Sequence, residues 1–141
     1  MSDLVVKQRI SAPPPVVYGY LTESAKWKQW QGVDAELDPT LGGASSMVMG
    51  SGMNARGEFV ELVPQRRVAF TWGWVGHPGL PPGSSTVEID LQPDGDGTLL
   101  VLTHRSLPDD EVPLQQSGWR HYLPRLASAA TGSPPGHDPG P

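Results

Sequence analysis

Only one stretch of this chain carries a helical stripe long enough to cover a sheet. Between residues 113 and 130, Trp119, Tyr122, Leu123, Leu126, Ala127 and Ala130 recur at steps of three and four, which places them on one face of a helix. Most of the chain before it alternates with a period of two, the pattern of half-buried strands. A chain with many strands and one long amphipathic helix must lay that helix on one face of its sheet. Pro124 interrupts the stripe. Its ring removes the hydrogen bond to the Arg120 carbonyl and predicts a kink.

The strand pattern occurs seven times, over residues 3–11, 32–38, 45–50, 55–63, 67–75, 85–92 and 98–107. Leu4, Val6, Gln8 and Ile10 share one face of the first strand, and Val87, Ile89 and Leu91 one face of the sixth. Pro13, Pro14 and Pro15 suit the opening of a short helix, with Val16, Val17, Tyr20 and Leu21 as its apolar residues. Thr22 is the expected N-cap of a second short helix that carries Trp27 and Trp30. The glycines of residues 93–97 supply a tight hairpin turn. Strands that follow one another through short turns predict antiparallel pairing. The expected class is therefore α+β: a curved antiparallel sheet wrapped on a long C-terminal helix, with two short helices after the first strand. One domain is expected over residues 1–130. Residues 131–141 offer no apolar anchor and are expected to form a disordered Pro/Gly-rich tail.

Composition narrows the function. With no cysteine among 141 residues, disulfide frameworks, thiolate metal sites and cysteine nucleophiles are excluded. A net charge of −5 provides no basic field for nucleic acid or an anionic membrane. The first residues lack an apolar leader pattern, and no run approaches the roughly 20 apolar residues that span a bilayer. A cytoplasmic location is expected. His77, His104, His121 and His137 form no ligand-spaced pair, so no metal is expected. The glycine pairs lack the lysine of a phosphate loop, and no cofactor is expected.

The chemistry concentrates in residues 70–83. Phe70, Trp72 and Trp74 share one strand face and then run into a Gly/Pro loop. Aromatic stripes usually fill cores. Here the last tryptophan stands beside a loop, which predicts Phe70 as core, Trp72 as cavity wall and Trp74 as rim. The loop itself, residues 76–83, reads as a mobile lid. Met47 and Met49 add an adaptable apolar surface or ordinary packing. His104 follows Leu100 and Leu102 on an inward face. It is either a satisfied core histidine or a general acid/base. Glu58 and Glu61 are the carboxylates that could pair with it, if their register turns them inward. His77 lies in the loop, either exposed or at the rim. Leu99 and Val101 are apolar on the outer sheet face, which suits a dimer contact or cover by the N-terminal helices.

Several motifs occur together in order: ISAPPPVVY (residues 10–18), WKQWQG (27–32), DPTLGG (38–43), GEFVELVP (57–64), FTW (70–72), GTLLVLTH (97–104) and GWRHYLPRL (118–126). With them the chain resembles the START-like (SRPBCC, helix-grip) superfamily, in a bacterial branch similar to the C-terminal domain of the activator of the Hsp90 ATPase. The resemblance covers about residues 5–130. It implies a hydrophobic cavity between sheet and helix that holds an apolar or aromatic small molecule. The expected lining is Trp30, Met47, Met49, Phe59, Trp72, Trp74, Ile89, His104, Trp119, Tyr122 and Leu123. The resemblance also implies two alternatives. One is a cyclase-, aromatase- or hydrolase-type enzyme using His104 with Glu58 or Glu61. The other is a chaperone-interaction module, although nothing in these residues corresponds to the Hsp90 activator's additional N-terminal domain. Two departures stand out. Ser45 occupies a position where relatives often have phenylalanine, and Pro124 breaks a helix that many keep intact.

Overall fold

A computed structural model describes all residues, 1–141. The chain runs β1 (Ser2–Ile10), α1 (Pro14–Thr22), α2 (Ser24–Trp27), β2 (Asp34–Leu37), β3 (Ala44–Val48), β4 (Asn54–Val63), β5 (Arg67–Trp72), β6 (Ser85–Asp94), β7 (Gly97–Leu107), a 3₁₀ turn (Asp109–Glu111) and α3 (Val112–Ala130). The seven strands form one antiparallel sheet in the order β1-β7-β6-β5-β4-β3-β2. This is the α+β helix-grip architecture. Six of the strands follow sequence order. The first closes against the last, which brings Ile10 opposite Thr98 and Leu4 opposite His104.

The alternation read from the sequence is the alternation of burial. Val87, Ile89 and Leu91 of β6 and Leu100, Leu102 and His104 of β7 are buried, with Glu88, Asp90 and Arg105 on the other side. On that outer face Arg67 bridges Glu61, Glu88 and Asp90, and Arg105 joins Glu88 to Asp3. Leu99 and Val101 are only half-exposed, standing directly across from Arg9 and Lys7. Helix α1 does not cover them: its Val17 and Leu21 join the inner core with Trp119 and Leu123.

Helix α3 is continuous through Pro124, which lies on its exposed side. There the Arg120 carbonyl can turn to water, so the missing hydrogen bond costs least. Trp119, Leu123, Leu126 and Ala129 face inward. The strand that α3 packs on is β1, and α1 flanks it. The helix backbone therefore lies toward the β1 side of the sheet, and the inner face of β3 and β4, with Met47, Ala55 and Phe59, is buried in the core cluster that includes Trp27 and Trp30.

Three expectations need correction. Thr22 does not cap α2: its hydroxyl donates back to the Tyr18 carbonyl (2.9 Å), ending α1, and Glu23 takes the cap position. The second helix stops at Trp27, and Trp30 sits in the tight turns that follow. Strand β5 stops at Trp72. A Cβ at Gly73 would fall 1.9 Å from the Pro81 carbonyl oxygen, so the loop folds back on this residue and only glycine fits. Trp74 then keeps a single bridge to Ala55 and gives its N–H to the Leu80 carbonyl.

The tail has no regular structure and no apolar anchor, but it makes polar contacts with α3. Asp138 meets His121 (2.6 Å) and Arg125, and Arg125 donates to the Gly136 carbonyl (2.8 Å).

The packing makes one residue decisive. Trp119 is buried between sheet and helix, tilted against the Trp72 ring and edge to ring with His104. Trp119→Ala should cost roughly 3–5 kcal/mol, the usual range for deleting a buried aromatic. Urea denaturation measures this, and a near-native midpoint would show that helix and sheet do not meet through Trp119.

Candidate functional site

The middle of the core is filled. Trp27 packs tilted against Trp30 with ring centres 4.5 Å apart, and contacts run on through Phe70 to Phe59 and Trp72. Trp72 in turn meets Trp74 (5.4 Å) and Trp119 (5.3 Å). The aromatic spine occupies the space under β4 and β5, and the hollow is displaced to its end.

His104 belongs to this filled region. Trp119 Nε1 donates to its Nδ1 (3.1 Å). The ring proton therefore sits on Nε2, which donates to Ser85 Oγ (2.8 Å), and the Ser85 hydroxyl donates to the Trp72 carbonyl (2.8 Å). Every polar atom in the chain of contacts is satisfied. Burial pushes the imidazole down to about 3, so it is neutral at any ordinary pH.

The cavity lies beside this region, with a volume of about 310 Å³. Trp72 and Trp119 form its inner end. Helix α3 supplies Leu114, Gln115, Gly118 and Tyr122. These continue the α3 stripe toward its start, stepping back by four from Trp119 to Gln115 to Glu111 and from Tyr122 to Gly118 to Leu114. Met49, Ser51 and Met53 from the turn after β3 close one side. Trp74 and His77 close the other, with Gln31 and Pro141 completing the lining. Leu114 is 65% exposed and Met53 44%, so the mouth opens between them. Burial, then the Asp138 carboxylate, raises the Tyr122 phenol above its usual range, keeping it protonated.

Of the residues expected to line the hollow, Met49, Trp72, Trp74, Trp119 and Tyr122 do so. Trp30, Met47, Phe59, Ile89, His104 and Leu123 do not. They are packed in the core, because the aromatic spine leaves no space beneath the sheet's centre. The expected acid/base set is not assembled either. Glu58 is exposed on β4, and Glu61 lies on the outer face bonded to Arg67. A kink in the β4 register between Phe59 and Glu61 separates the two carboxylates without turning either inward.

A different pair stands at the rim. His77 Nε2 and Glu111 Oε1 are 2.7 Å apart, and the Glu111 side chain is only 6% exposed. The loop that carries His77 is not loose. Leu80 is fully buried in the core, and backbone bonds from Leu80 to His77 and from His77 to Trp74 tighten it. The sequence signal for Glu111, Leu114, Gln115 and Gly118 was the backward extension of the helical stripe. The polar or small side chains of Glu111, Gln115 and Gly118 hid it. Two buried polar atoms of lining residues, Gln31 Oε1 and Trp72 Nε1, have no partner within the protein.

No helix is long and apolar enough to cross a membrane, and no group of three or more His, Asp or Glu side chains could hold a metal ion.

Comparison with known proteins gives a consistent picture. The sequence model of a family described as Activator of Hsp90 ATPase homolog 1-like protein matches residues 11–131. The solved structure of an AHSA1-like protein from Rhizobium etli is 43% identical with a TM-score of 0.73, covering 98% of this chain and 88% of that one. CalU16 from Micromonospora echinospora is 28% identical with a TM-score of 0.76, over 92% of this chain and 76% of that one. The activator of 90 kDa heat shock protein ATPase homolog 1 of Mus musculus is 25% identical over 119 residues. That match takes in 84% of this chain but 34% of the mouse protein, so the chain spans about a third of the length of this curated relative.

The state of His104 makes a pH prediction. An unfolded imidazole titrates near 6.5, whereas the folded one takes a proton only near 3. Between these values the unfolded chain binds the extra proton. The contribution is therefore full above about pH 6.5 and is lost as pH falls toward 3. Between about pH 6 and 4, the wild type should lose about 1.4 kcal/mol per pH unit more than His104→Gln. Urea melts across that range test it, and parallel slopes would mean that the folded imidazole is already protonated.

Proposed function

This chain belongs to the Activator of Hsp90 ATPase homolog 1-like family, and from that premise we propose that it binds an apolar or aromatic small molecule in the cavity at the start of α3. The carrying observation is the composition of the lining: Trp72, Trp74, Trp119, Tyr122, Met49 and Met53 surround a hollow with few polar groups. A pocket of this kind, mostly apolar with a few placed polar atoms, is what small-molecule binding requires. The unpartnered Gln31 and Trp72 atoms support the reading, since a buried polar group without a partner costs free energy that a ligand can recover.

A binding role draws on what the site contains. The cyclase- or aromatase-type alternative needs an inward acid/base pair, and His104 with Glu58 or Glu61 does not supply one. Chaperone contact draws no support from the residues of this site.

Gly118 gives a clean test. A Cβ added there meets no atom within 4 Å, because it would project into open space. Gly118→Leu should fill the cavity while keeping or raising stability, since glycine in a helix interior costs roughly 0.5–1 kcal/mol. Titration of an apolar naphthyl probe, followed by tryptophan fluorescence, should show binding to the wild type and none to Gly118→Leu. Trp74→Ala should weaken binding more than it lowers the melting temperature, because Trp74 is only half-buried. Equal binding by wild type and Gly118→Leu would remove the cavity from the account.

A further inference from the structure

The polar groups of the cavity are unbalanced in charge, and the imbalance identifies a ligand class. Among the lining residues one side chain is a carboxylate, Glu111, and none is a lysine or arginine. Glu111 is 5% exposed, and the surface it keeps borders the hollow. His77 holds Oε1 at 2.7 Å, which fixes the carboxylate's orientation and leaves Oε2 without a hydrogen-bond partner in the protein.

The walls have the same sign preference. Trp72 meets Trp74 at an interplanar angle of 77° and Trp119 at 50°, so the three rings form a corner rather than a flat slot. Tyr122 also lines the cavity and stays protonated. Aromatic faces carry negative quadrupole charge and attract cations, most strongly when water is excluded. Gln31 Oε1, a second unpartnered acceptor, also awaits a donor. The unmatched donor, Trp72 Nε1, needs only a neutral acceptor such as an ether or carbonyl oxygen.

We propose that the ligand is an organic cation: an amine on an apolar or aromatic body, whose ammonium is received by Glu111 Oε2 beside the tryptophan rings. A ligand anion would face the Glu111 carboxylate in a lining that holds no lysine or arginine. This assignment rests on the cavity being a ligand site, and the experiment separates the two claims.

Calorimetric titration at pH 7 with three probes tests it, each the same naphthyl body carrying an ethylammonium, an ethanol or a propionate arm. The ammonium probe should bind about tenfold or more tighter than the alcohol, the factor that one charge-assisted hydrogen bond supplies. The propionate should bind weakest. In Glu111→Gln, which keeps the side-chain shape and an acceptor for His77, the difference in affinity between the ammonium and alcohol probes should vanish. The wild-type order of the three probes does not depend on the variant's folding. Equal affinity for all three, or a preference for the propionate, overturns the cation assignment while leaving the cavity as an apolar site. An ammonium preference that survives in Glu111→Gln overturns the role of Glu111. Binding of none of the probes overturns the cavity reading together with this one.

Discussion

Three side chains and one carbonyl, all buried and hydrogen-bonded in line, hold the helix to the sheet. Trp119 reaches from α3 to His104 on β7, His104 to Ser85 on β6, and Ser85 to the Trp72 carbonyl on β5. Each member needs the next, because a buried polar group left without a partner is costly. The chain of contacts ties the only long helix to three adjacent strands. It also keeps two tryptophan rings 5.3 Å apart at a fixed angle. The imidazole serves as a structural connector here, and its low proton affinity follows from that role.

The cavity is a consequence of where this connection lies. On one side of it, α3 settles on β1 and α1, and the core is solid. On the other, the helix continues with Glu111, Gln115 and Gly118 in place of large apolar groups, and Leu114 stands exposed at the mouth. The β3–β4 turn and the loop after β5 curl over this gap without filling it. Leu80 and the His77–Glu111 contact anchor the loop, so the hollow has a firm wall where the sequence suggested a mobile lid. A firm wall suits preorganised binding, since little must be ordered when a ligand arrives.

Much of this was legible in the sequence, for identifiable reasons. Period-two alternation in residues 85–92 and the helical stripe from Trp119 to Ala130 report burial directly, and both elements formed as read. The family resemblance supplied the cavity, and the contrast between Trp72 and Trp74 came from the neighbouring glycines. What the sequence did not show was how fully five tryptophans and two phenylalanines would pack. Trp30, Phe59 and Ile89 share faces with the cavity wall, yet volume already taken by their neighbours keeps them in the core. Glu111 was invisible for the opposite reason: a carboxylate in an acidic turn, residues 109–111, reads as solvated, yet in the fold it is buried and held by His77 of the loop after β5. His104 could be placed inward, but its role was decided by partners on β6 and α3, which pattern alone does not specify.

The central claim is that the Trp119–His104–Ser85–Trp72 connection leaves an apolar void beside it and none beneath the sheet's centre. Crystals equilibrated with pressurised xenon test this most directly, because xenon reports dry or easily emptied apolar space without requiring the natural ligand. The account predicts a xenon site bordered by Trp72, Gly118 and Trp119. Xenon bound instead among Ile89, Leu102 and Leu123, with the expected position unoccupied, would contradict it.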